Sequence, residues 1–109
     1  MKEIGKTVNF LDWLTKVNVS RNEYWKTHYG GDDRHPDFIV TKGRKFIKLR
    51  SDRSIWGFVS MYDGLYKGEP IKKGDLLRPA GMKSPAKHAR GNIFDGTANF
   101  TFFGPEYLK

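Results

Sequence analysis

Over the first thirty residues apolar positions recur with helical spacing. Phe10, Trp13, Leu14 and Val17 stand at i, i+3, i+4 and i+7, one face of a helix that Thr7 would cap. Ser20-Arg21-Asn22-Glu23 has the form of a capping box, with Glu23 placed to reach back to the Ser20 amide. A second short helix is expected there, setting Trp25 and Tyr29 one turn apart and stopping at Gly30-Gly31. The segment is therefore expected to be a helical hairpin or two short helices.

After the turn-forming run Gly31–Asp37, in which Pro36 forces extended geometry on His35, the period changes to two. Phe38-Ile39-Val40 and Arg44–Arg50 read as strands, the second alternating Phe46, Lys48 and Arg50 against Lys45, Ile47 and Leu49. A turn at Ser51–Ser54 leads to a more buried strand, Ile55–Met61, with Gly57 marking a bulge or a close approach. A glycine-punctuated stretch from Asp63 to Gly74 precedes a further strand at Asp75–Arg78, which Pro79 ends. In the last third, Ser84-Pro85 has the form of a helix start and Gly91 of a helix stop. On that helix Lys83, Lys87 and Arg90 would share one side. Phe94, Phe100, Phe102, Phe103, Tyr107 and Leu108 would then anchor the tail to the sheet. The pattern predicts an α+β fold, a small antiparallel meander of three to four strands with short helices packed on one face. Residues 1–109 form one domain, a helical segment 1–30 joined to a basic sheet-plus-helix core 38–109.

Length and composition agree with one modest core: 109 residues, 38% hydrophobic, 15% aromatic. The absence of cysteine excludes a disulfide scaffold, a thiolate zinc site and a cysteine nucleophile. Apolar runs are too short to span a bilayer, and the first residues lack the apolar core of a signal peptide. A soluble intracellular protein is expected. The net charge of +8 is unevenly placed, since residues 1–37 hold six bases and six acids whereas residues 38–109 hold 14 bases and six acids. Between Asp75 and Asp95 there is no acid at all. Such asymmetry suits a polyanion partner, because neutralised phosphates release condensed counterions.

Four stretches then bear a family likeness. Lys45–Leu49, Ser54–Val59, Gly74-Asp75-Leu76-Leu77-Arg78-Pro79-Ala80 and Lys83-Ser84-Pro85-Ala86-Lys87-His88-Ala89-Arg90-Gly91-Asn92-Ile93-Phe94 resemble a family of short tailed-bacteriophage proteins. The likeness covers residues 44–109 and departs from the family where Gly81-Met82 replaces a usual Ser-Trp. It implies a phage origin and a place in the host cytoplasm, and it carries no catalytic residues with it. Residues 1–37 look like an addition of this protein's own.

The candidate chemistry follows from charge and aromatic faces. His28, Asp32, Asp33, His35 and Asp37 are close in sequence but match no compact metal-ligand spacing. His88 beside Lys87 and Arg90 resembles part of a ribonuclease site, yet no second histidine is near. No nucleophile elbow, Walker loop or HExxH motif is present, so the chain reads as non-enzymatic, without metal or cofactor. Nucleic-acid binding is the leading expectation, through Lys48, Arg50, Arg78, Lys83, Lys87, His88 and Arg90, with Phe46, Trp56 and Phe58 as stacking faces or as core. The alternative is a host-takeover protein that grips a host enzyme or complex through Trp13, Tyr24, Trp25 and Tyr29.

Overall fold

The computed structural model describes residues 7, 9–30, 38–51, 54–80, 84–98, 100–101 and 104–105. A single helix, α1 (Phe10–Tyr29), replaces the two expected. Asn9, not Thr7, caps it: the Asn9 side chain accepts from the Asp12 amide at 2.9 Å, while the Thr7 hydroxyl donates to Ile93 O. Gly30 ends the helix in the left-handed conformation, as expected of a C-terminal glycine. The helix continues through Ser20 because Trp13, Val17 and Arg21 form one buried stripe at four-residue spacing. Arg21 acts as the stripe's third member, its guanidinium 4.1 Å from the Phe38 ring centre and its Nη2 donating to Ser51 Oγ at 2.8 Å. Packing along that stripe outweighs the local capping signal at Ser20.

Among the described residues the main sheet is an antiparallel meander of five strands rather than three or four, in the spatial order β1 (Ile39–Lys42), β2 (Phe46–Ser51), β3 (Ser54–Ser60), β6 (Asp75–Pro79) and β7 (Pro85–Asn92). Between β3 and β6 the chain forms a small hairpin of β4 (Gly64–Tyr66) and β5 (Glu69–Ile71). A second short hairpin, β8 (Phe100–Thr101) with β9 (Gly104–Pro105), closes the described chain.

Strand alternation divides the core in two. Ile47, Leu49, Trp56, Val59 and Leu76 face α1 and bury against Trp13, Val17, Phe38, Ile93 and Phe100. Phe58 and Leu77 face the other way and are covered by Ile71 of the hairpin, with Phe46, Tyr62 and Tyr66 around them. Gly57 is a point of close approach, as expected: a Cβ there would lie 2.9 Å from Pro105 Cγ and 3.1 Å from Leu77 O. Among the described tail anchors Phe100 is buried and Phe94 half-buried, while Phe102, Phe103, Tyr107 and Leu108 lie outside the described residues.

The expected helix at Ser84–Gly91 is instead the edge strand β7. Its pairing with β6 sets Pro85 opposite Pro79, Ala89 opposite Leu77 and Asn92 opposite Asp75, with register shifts between those pairs. Proline suits the first position of an edge strand as well as the first turn of a helix, and strand pairing here overrides the helix propensity of Ala86–Arg90. Among the described residues no helix is long and apolar enough to cross a membrane.

Candidate nucleic-acid interface

The seven basic residues chosen from the sequence do not form one track. Lys48 pairs across from Phe58 and so lies, with Arg50, on the face of the sheet that carries the β4–β5 hairpin. Lys87 approaches Glu69 of that hairpin at 3.9 Å. Arg78 lies on the opposite side, donating from Nη1 to Pro105 O. Arg90 Nη1 donates to His88 O at 2.6 Å. Burial and the nearby Arg78 charge both lower the Arg90 pKa, although an arginine stays charged at neutral pH. His88 is exposed, and Lys83 lies outside the described residues. The shared helical side of Lys83, Lys87 and Arg90 is lost with the helix itself.

The aromatic candidates divide similarly. Trp56 and Trp13 are core residues, 3% and 1% exposed, their rings 6.3 Å apart. Trp13 is therefore not an interface residue. Phe46 meets the rings of Phe58, Tyr62 and Tyr66 edge-on, at 6.4, 5.9 and 4.9 Å. Phe58 is buried, so it offers no face to a base. Tyr24 and Trp25 are half-buried on α1, and Tyr24 stacks on His28 at 3.9 Å. The Tyr29 side chain is not among those described, nor are Asp32, Asp33, His35 and Asp37. Among the described residues no group of three or more His, Asp or Glu is placed to hold a metal ion.

A different basic surface emerges from the topology. In the meander the β1–β2 turn and the β5–β6 turn lie at the same end of the sheet. The first is closed by the Gly43 amide donating to Phe46 O at 2.9 Å, and it joins β3 through Met61 N to Lys45 O at 2.8 Å. The second joins β3 through Gly74 N to Ser60 O, also at 2.8 Å. Lys42, Arg44, Lys45, Lys72 and Lys73 are all exposed on these two turns.

The acids at this end have backbone work. Asp63 Oδ1 accepts from the Lys73 amide and Asp75 Oδ2 from the Lys72 amide, each at 2.9 Å. Asp75 Oδ1 takes a further bond from Asn92 Nδ2, which also donates to Lys73 O. These bonds fix the turn from which Lys72 and Lys73 project. The Thr97 hydroxyl and amide hold the Asp95 carboxyl below its ordinary range, with a smaller contribution from Lys72.

Below the two turns, a cleft of about 520 Å³ opens between the first turn of α1 and the sheet. Its lining includes the buried Ile47 and Val59, the half-buried Phe10 and Phe94, and the exposed Lys42 and Lys73. Lys42 reaches it because its cross-strand partner is Ile47, which points toward α1. The sequence carries the signal for this surface in two short runs, Lys42-Gly43-Arg44-Lys45 and Lys72-Lys73-Gly74. Neither run points to the other until the strand order is known.

No curated protein and no solved structure matches the chain. One family pattern does, over residues 3–103. Because that match begins at residue 3, α1 is part of the shared pattern and not an addition peculiar to this protein. The chain belongs to a family of unknown function (DUF7717).

Proposed function

We propose that this protein is a small, non-enzymatic, basic accessory protein that binds nucleic acid with little sequence preference. Its contact surface in this reading is the basic end of the sheet. The observation that carries it is the convergence of Lys42, Arg44, Lys45, Lys72 and Lys73 on two adjoining turns whose acids are engaged by backbone amides. Five cations on rigid turns suit a run of phosphates, and phosphate contacts position a strand without reading its sequence. Lys48 and Arg50 would extend the contact from this end along the hairpin face of β2. The likeness of residues 44–109 to short phage proteins supports a phage origin and action inside a host cell.

The test is fluorescence anisotropy of a labelled single strand across a salt series. If three or four phosphates are neutralised, log affinity against log salt should fall with a slope of about −2 to −3. Changing Lys42, Lys45 and Lys73 together to Ala should flatten that slope by about 2. The melting temperature should stay nearly unchanged, because all three side chains are exposed. Absence of binding at low salt, or an unaltered slope in the triple variant, overturns the assignment.

A further inference from the structure

We infer that the cleft beside these turns holds one unstacked base of a single strand while Lys42 and Lys73 take the flanking phosphates. This rests on the nucleic-acid reading above and names the ligand feature that the site selects. At about 520 Å³ the cleft lies within the range of roughly 300–1,000 Å³ typical of small-molecule sites.

Its chemistry is that of a planar apolar body attached to an anion. Phe10 and Phe94 line it together with the buried Ile47 and Val59, and the charged groups of the lining are both lysines. No carboxylate is among the lining residues, and the nearby Asp63 and Asp75 carboxylates are held on the Lys73 and Lys72 amides. The uncharged polar side chains of the lining are two, Ser60 and Asn9, and each is partly committed to the fold. The Ser60 hydroxyl already donates to Tyr62 O at 2.8 Å and accepts from the Tyr62 amide at 3.2 Å. The Asn9 side-chain oxygen accepts from the Asp12 amide. The rest of the lining is apolar apart from the two lysines, so the cleft accepts a base mainly by stacking and apolar contact, which every base can satisfy. A paired base reaches it only by leaving its duplex, at a cost of a few kcal/mol. The site therefore selects single strands over duplexes and is tolerant of sequence.

The experiment compares, with the full chain, a single-stranded oligothymidine and an abasic strand of equal length and equal phosphate number. The intact strand should bind about tenfold more tightly, the scale of one base–aromatic contact. Phe10→Ala should reduce the intact-over-abasic ratio to less than about threefold while leaving the salt slope on the abasic strand unchanged. A strand carrying 2-aminopurine at one position gives a second readout that does not depend on a variant: its fluorescence should change on binding. Equal binding of intact and abasic strands overturns the inference and leaves the phosphate-binding reading in place. Binding of neither strand at low salt overturns both. Occupation of the cleft by a long-chain carboxylate that leaves the intact-over-abasic ratio at one assigns the cleft to an amphiphile and overturns the inference.

Discussion

Trp13→Ala is the substitution that most sharply tests how α1 belongs to the fold. Trp13 is 1% exposed and lies within 6.0 to 6.3 Å of the Phe10, Phe100 and Trp56 rings, between helix and sheet. Truncating a buried Trp to Ala costs about 3–5 kcal/mol, through lost transfer energy and the cavity left behind. Three ring partners that belong to three different elements cannot all collapse into that cavity, which puts the expected cost in the upper half of the range. For a domain of this length each kcal/mol lowers the melting temperature by about 4–5 °C, so a cost of about 4–5 kcal/mol should shift it by about 16–25 °C. That is a large share of the roughly 5–15 kcal/mol that hold a small domain together. Thermal unfolding followed by circular dichroism measures it, with Leu11→Ala as the control. Leu11 is 67% exposed on the same helix and should change stability by less than about 1 kcal/mol. A Trp13→Ala protein melting within about 5 °C of wild type would show that α1 is docked weakly, and would return Trp13 to the class of candidate partner contacts.

Two further outcomes follow from local geometry. Gly91 has φ +95°, and a Cβ there would lie 1.9 Å from Thr97 O. Gly91→Ala should therefore cost about 3 kcal/mol or more, from left-handed strain and overpacking together, as read by urea unfolding. Asp95 is held ionised by the Thr97 hydroxyl and amide, so its folded pKa lies below the unfolded value of about 3.9. Its contribution to stability is thus complete above that value and disappears as pH falls through the lower folded one. Asp95→Asn should melt earlier than wild type at neutral pH, and the two should converge in acid.

β2 is legible because its burial obeys a period of two, and β3 because it is a continuous buried run. Ile47 and Leu49 alternate with Lys48 and Arg50 along β2, and the close approach at Gly57 is announced by a glycine inside a buried strand. The β4–β5 hairpin is hidden because each strand is three residues long and one contains Pro70, too little for alternation to show. The single helix is hidden by Arg21, which packs as a core residue although its charge reads as surface. At Ala86–Arg90 the local helix preference loses to pairing with β6, a contact between segments that no short window contains. The basic end has the same character. Each lysine-rich turn is visible alone, and the bonds Met61 N to Lys45 O and Gly74 N to Ser60 O bring them together.

The measurement that tests the central claim most directly is an amide NMR titration of the full chain with a single-stranded oligonucleotide at low salt. Chemical-shift changes should concentrate at Lys42–Lys45, at Lys72–Gly74 and around the cleft at Phe10, Leu11 and Phe94, and they should fade as salt is added. A titration that moves no signals, or one whose changes are confined to β7 and the C-terminal half of α1, would contradict the account.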